Sequence, residues 1–358
     1  MPDKNQVPTD SLLAGDACGS AQQHLPSACG RNRPASRYCW NAMKSYRMPL
    51  QAIPMPGNPA FCHAMAPGSI RTGQTFISGT VLGKTMGLFG SREKPGDLMR
   101  SAMALMQKNQ PKGAVSLFDR ILKTEPENTK ALYNKGLALN QAGRYSDAVT
   151  CFDKLLQIDS RDAQALNNKG IALAELGNIQ DAAECYDMAV KADPKHAAAY
   201  FNKGVLLDKL QEHEKAMQAL EKAIAADPEK PNAMFYKGIV LGRMKRHEEA
   251  LDCFEDVHRR HPGHTDAFFH RGIELAELGR HDMAIGIFDE ILEEHGDNAS
   301  IIYAKARSKA ALERYSEALD LLRRAVSKNP KVIRAWAREE RAFTSLHNDD
   351  RFRALVRL

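Results

Sequence analysis

Three residues stand in an order that chemistry would use. Gly83, Lys84 and Thr85 follow one another as in a phosphate-binding loop. Such a loop keeps four residues between its first Gly and the Gly-Lys pair, so that successive N–H groups surround the phosphates, and a helix starts behind it. Counting back from Gly83 puts Ser78 where the first Gly belongs, and "MGLFGSREKPGD" after Thr85 is broken by Gly and Pro. The loop near 78–85 is therefore read as degenerate. Cys151, Cys185 and Cys253 are separated by 34 and 68 residues. Among the 12 histidines no HExxH occurs, and no CxxC pair appears. His261 and His264 lie in "RRHPGH", a proline turn rather than a ligand pair. No catalytic residue, metal site or cofactor is expected from these groups.

The spacing of the cysteines belongs to a larger period. "ALYNKGLALNQAGRYSDAVTCFDKLLQID" at 131 recurs as "ALNNKGIALAELGNIQDAAECYDMAVKAD" at 165, and again in related form at 198. Units of 34 residues run without insertion over 95–128, 129–162, 163–196, 197–230, 231–264, 265–298 and 299–332, with an incomplete eighth over 333–358. All three cysteines then fall at position 23 of their units. Residues one unit apart on successive second helices sit about 8–10 Å apart, too far for a disulfide or a shared metal, so they are read as packing residues.

Within each unit, position 8 is Gly or Ala (Ala102, Gly136, Gly170, Gly204, Gly238, Gly272, Ala306) and position 20 is Ala from Ala114 to Ala318. Small residues there let two antiparallel helices approach closely. Large apolar residues fill positions 4, 11 and 24, on helical stripes. Pro stands at position 32 in Pro126, Pro194, Pro228, Pro262 and Pro330, stopping the second helix. The pattern resembles the tetratricopeptide repeat family over residues 95 to about 332. The resemblance implies an all-α, right-handed superhelical solenoid of helix-turn-helix repeats, with a concave groove lined by the first helix of each pair. No unit buries its own seam, so stability is close to a nearest-neighbour sum. Residues 333–358, with Trp336 and Phe343 at seam positions and Glu340 at position 8, are read as a capping helix that shows charge to water, followed by a short frayed one.

In that family, first-helix positions 2, 5, 6, 9, 12 and 13 face the groove. Position 5 supplies Tyr133, Phe201, Phe235 and Phe269; position 6 supplies Asn134, Asn168 and Asn202 in three successive units, then Tyr236 and His270. An amide both donates and accepts, and so can satisfy a peptide backbone as a neighbouring strand would. These nine residues are the candidate partner-binding groove. The carboxylate clamp known from chaperone adaptors of this family is absent, because no consecutive triplet supplies its Lys and Asn set. The basic row at position 7 (Lys135, Lys169, Lys203, Lys237, Arg271, Lys305) is read as stems along the seam whose charges reach water or a neighbouring carboxylate.

Of 50 Lys/Arg and 44 Asp/Glu, residues 1–94 carry ten and four, which leaves 40 of each beyond them. The repeat array is thus neutral in total, and nucleic acid is not an expected partner. No run of 18 apolar residues exists and no signal-like stretch opens the chain, so a membrane partner is not expected and a cytoplasmic location is. Residues 1–85 hold nine of the 17 prolines and no Glu, which predicts a largely disordered extension, with 86–94 as linker and Met86 as a candidate native start. The function expected is a non-enzymatic scaffold for a protein or peptide. The alternative is an enzyme or nucleotide-binding protein using the degenerate loop, with the repeats recruiting substrate.

Overall fold

The computed structural model describes residues 94–357. The N-terminal extension, the loop near 78–85, Met86 and all of the linker but Lys94 lie outside the described residues. Those described contain sixteen α-helices and one 3₁₀ helix. They run as pairs: α1 (Pro95–Gln107) with α2 (Pro111–Thr124), α3 (Thr129–Gln141) with α4 (Tyr145–Ile158), α5 (Ala163–Glu175) with α6 (Ile179–Ala192), and α7 (Ala197–Lys209) with α8 (His213–Ala226). Then follow α9 (Pro231–Arg243) with α10 (His247–Arg260), α11 (Thr265–Glu277) with α12 (His281–His295), and α13 (Ala299–Ala311) with α14 (Tyr315–Lys328). This is the helix-pair solenoid that the 34-residue period predicts.

Five of the seven pairs close because a missing side chain meets a large one, and the other two use the fully buried Ala102 and Ala306. A Cβ on Gly136 would lie 2.6 Å from the Phe152 ring, one on Gly170 2.7 Å from Tyr186, and one on Gly272 2.7 Å from Phe288. Position 8 is small because position 24 fills its space, and Phe118, Phe152, Tyr186, Phe254 and Phe288 are all completely buried. The alanines at position 20, from Ala114 to Ala318, are completely buried beside them.

The turns are set residue by residue. Position 15, between first and second helix, is left-handed in every full unit: Gly143, Gly177 and Gly279 adopt positive φ, and so do Asn109, Gln211, Lys245 and Glu313, with φ of 55–64°. That requirement was not apparent from the period. Five of the seven first helices begin at side-chain caps, as where Asn128 accepts from Ala131 N–H at 2.9 Å, Asp162 from Ala165 at 2.9 Å, and the His196 ring from Ala199 at 3.2 Å, while α1 and α9 begin with Pro95 and Pro231.

Ion pairs tie consecutive units. Position 7 of each unit reaches position 25 of the unit before: Lys135–Asp119 at 2.6 Å, Lys169–Asp153 at 2.6 Å, Lys203–Asp187, Lys237–Glu221 at 2.9 Å, Arg271–Glu255 at 3.1 Å, and Lys305–Asp289. The basic row therefore pairs with neighbouring carboxylates. At the equivalent positions of the next rung the signs are inverted in the sequence, with Arg323 at position 25 and Glu339 at position 7, and Arg323 pairs with Asp320 at 3.1 Å.

The array ends in α15 (Pro330–Glu339), a 3₁₀ turn (Arg341–Leu346) and α16 (Asp350–Val356). The capping helix starts at Pro330, three residues ahead of the 333 boundary, because Asn329 caps it directly and Pro330 takes its first position. Glu340 does not show its charge to water. It is 7% exposed, its carboxylate accepts from Ala342 N–H at 3.2 Å, and Arg307 lies 3.9 Å away. The short last helix is fastened: Arg334 donates to Leu355 O at 3.0 Å, and Arg338 Nε to Val356 O at 2.8 Å. Phe343 and Phe352 fill the last seam.

Candidate functional site

The nine candidate residues lie on five consecutive first helices, α3, α5, α7, α9 and α11, at equivalent positions. The structure divides them by burial. Asn168, Asn202, Phe235, Phe269 and His270 are between 4% and 9% exposed and fill the space between neighbouring first helices. Tyr133, Asn134, Phe201 and Tyr236 are only half-buried. The first five form a floor, and the other four are the surface a ligand would meet.

The floor fixes the surface through hydrogen bonds between units. Asn168 Nδ2 donates to the Tyr133 hydroxyl at 3.2 Å and to Gln164 O at 2.8 Å. Asn202 Nδ2 donates to Asn167 Oδ1 at 2.9 Å, and Asn140 Nδ2 to Asn168 O at 3.1 Å. Asn134 Nδ2 is turned back onto Lys130 O at 2.8 Å. Much of the amide capacity read as free for a peptide is thus spent inside the array. Burial, reinforced by the Asp162 charge, pushes the Tyr133 hydroxyl up to about 12, so it stays a neutral donor and acceptor at any physiological pH.

The aromatic strip is interrupted by Asn167, which takes position 5 between Tyr133 and Phe201. Phe201 and Tyr236 meet edge to face at 5.9 Å between ring centres, and Phe235 meets Phe254 at 5.6 Å. His270 sits in the middle of Phe235, Phe254 and Phe269, with centroids 5.4–5.5 Å away. Burial, with His264 and Arg243 adding to it, lowers its pKa to about 4, so the ring is neutral at pH 7 and packs as an aromatic.

Beyond the asparagines the groove becomes ionic, which the candidate set did not include. Asp208 is completely buried and accepts from Tyr236 OH at 2.9 Å and from Arg243, with His213 Nδ1 at 3.0 Å. One unit on, Glu274 lies 2.7 Å from His247 Nδ1, and a Cβ on Gly242 would come within 2.7 Å of its Oε1. Burial raises the Glu274 pKa against the opposing influence of His247. Arg307 pairs with Glu277 at 3.0 Å. Each cluster joins neighbouring units rather than facing outward. Their only signal in the sequence is a charged residue at a position that is uncharged elsewhere, such as Asp208 where other units have Asn140, Ala174, Gly242 and Ala276.

Among the described residues no group of His, Cys, Asp and Glu could hold a metal ion. Cys151, Cys185 and Cys253 are buried thiols, and burial raises the pKa of each, Cys253 to about 11, which is the opposite of nucleophile activation. No helix among the described residues is long and apolar enough to cross a membrane.

Comparison with known proteins adds the family. Two tetratricopeptide repeat models match, one at residues 99–163, 167–231 and 236–299, the other at 275–338. No curated protein matches the sequence. Among solved structures, a tetratricopeptide repeat protein from Parabacteroides merdae is 19% identical, covering 69% of this chain and 97% of its own with a TM-score of 0.53. PilF from Pseudomonas aeruginosa is 22% identical, covering 59% and 97%, with a TM-score of 0.52. At these identities the likeness is one of fold.

Proposed function

Because the chain belongs to the tetratricopeptide repeat family, we propose that it is a non-enzymatic scaffold whose first-helix groove holds an extended segment of a partner protein. The observation that carries this reading is the row of half-buried Tyr133, Asn134, Phe201 and Tyr236, held in place by a buried floor of amides and rings. Rigid aromatic side chains with a polar tip bury large area at small entropic cost, which is what a peptide groove needs. A protein or peptide segment suits this surface; nucleic acid, a membrane and the acidic chaperone tail do not. A cytoplasmic location goes with that role.

The test is selection from a displayed peptide library, followed by calorimetry with the selected peptide. Phe201→Ala and Tyr236→Phe, checked for native helicity, should weaken binding about tenfold or more for the first, near 1.4 kcal/mol, and less for the second. Selected peptides whose affinity is untouched by Phe201→Ala and Asn134→Ala would place recognition elsewhere and defeat the proposal.

A further inference from the structure

The neutral total of residues 95–358 conceals a sharp segregation. The unit 265–298 has nine Asp/Glu against two Lys/Arg, a net of −7. Residues 299–358 have 14 Lys/Arg against seven Asp/Glu, a net of +7. No other full unit departs from neutrality by more than two charges. The two opposite excesses are neighbours in the solenoid, and they meet on two second helices set side by side: α12 holds five Asp/Glu and no Lys/Arg, and the last two turns of α14 hold Arg323, Arg324 and Lys328.

Three ion pairs fix that arrangement. Arg314, at the head of α14, reaches Asp282 at the head of α12 at 3.3 Å, and at the other end Arg324 and Lys328 reach Asp297, the latter at 3.4 Å. The helices therefore run alongside each other in the same direction. The outer face of α12 carries Met283, Gly286, Glu290, Glu293 and Glu294, spaced as one helical stripe. Met283 is 57% exposed, the space around a Cβ on Gly286 is open, and the three glutamates are exposed. Glu290 and Glu293 have no ion-pair partner among the described residues. The equivalent half of α14 presents Arg323, Arg324 and Lys328, all exposed.

From this we infer that the α12–α14 face is an isologous interface with a second copy of the chain. A two-fold axis lying between the helices and parallel to them turns the surface onto itself at the same axial height. It sets the acidic half of each α12 over the basic half of the partner's α14, twice, with each exposed Met283 at the head end of the contact. A basic ligand, the 1–94 segment with its ten Lys/Arg and four Asp/Glu included, answers only one half of this surface. A copy answers both halves at once, the three exposed carboxylates of α12 and the three exposed cations of α14, although Arg323 also pairs with Asp320 and Arg324 and Lys328 with Asp297 in the same chain. Helices of about 22 Å lying about 10 Å apart offer roughly 450 Å² per copy, below the size of a standard stable interface, so the dimer is a reversible one governed by charge.

Sedimentation velocity of the full chain, from about 5 to 200 μM at about 0.1 M and about 1 M salt, tests this. The expected result is a dimer that forms with concentration at low salt and weakens at least tenfold at high salt. Glu290→Lys with Glu294→Lys should be monomeric, and so should Arg323→Glu with Lys328→Glu. An equimolar mixture of the two variants should dimerise again, since one of the two opposed contacts then keeps its native signs and the other is restored with its signs exchanged; that recovery also shows both variants folded. A wild-type chain that stays monomeric throughout, a dimer that survives in both variants, or a mixture that stays monomeric would each overturn the inference. Peptide binding by Phe201 and its neighbours is unaffected by any of these outcomes.

Discussion

Four residues accept a backbone conformation that suits glycine. Asn109, Gln211, Lys245 and Glu313 occupy position 15 with φ of 55–64°, where other units use Gly143, Gly177 and Gly279. A left-handed L-residue costs about 1–2 kcal/mol, and the extra freedom of glycine in the unfolded chain returns up to about 1. Gln211→Gly, Lys245→Gly and Glu313→Gly should each stabilise by about 0.5–1 kcal/mol, read as a raised urea midpoint; Gly177→Ala should lower it. His270 makes a prediction in pH. Its folded pKa is lowered from 6.5 to about 4, so the unfolded chain binds the proton more readily. Its contribution is complete above about pH 6.5 and is lost as pH falls toward 4, amounting to about 3 kcal/mol. His270→Phe should flatten the urea midpoint over that window; an unchanged slope would mean the ring is hydrated. Asp208→Ala leaves the half-buried Arg243 guanidinium and Tyr236 hydroxyl without the buried carboxylate they share, and an expected loss of about 3 kcal/mol is checked by the same unfolding curves.

Helix pairs and seams show which interactions dominate. The rung Lys169–Asp153 is regular but open to water, with the Asp side chain 44% exposed, and Lys169→Met should cost under about 1 kcal/mol. Gly170→Ala puts a Cβ 2.7 Å from the Tyr186 ring, and the strain of about 1–3 kcal/mol outweighs the roughly 1 kcal/mol that Ala gains in a helix. Thermal unfolding of the two variants should therefore rank them in that order. Positions 8, 20 and 24 were legible in the sequence because the same steric problem is solved in every unit and the repetition displays the solution. The groove was legible only as a row of positions. Whether a position-5 ring faces a ligand depends on the next unit's side chains: Phe235 is buried because His270 lies against it, whereas Phe201, followed by Tyr236, stays half-open. The clusters around Asp208 and Glu274 each occur at one seam, so no periodicity could reveal them.

Over the whole described array, stability passes from neighbour to neighbour and the last neighbour is the cap. Phe343 and Phe352 are almost fully buried against Ile302 and Leu322. Truncation after Asn329 should unfold α13 and α14 locally. Hydrogen exchange should then show protection lost over 299–328 and kept over 129–196. Loss across all units at once would mean that the array folds as one block.

The inverted rung at Arg323 and Glu339 has a consequence for how such a chain lengthens. Six rungs share one polarity, so a duplicated internal unit inserted at any internal seam arrives with its acid and its base already matched to both neighbours. A unit appended beyond 332 would bring a position-7 base against Arg323. The interior seams are therefore interchangeable in charge, whereas the seam at Arg323 takes an acid and refuses a base.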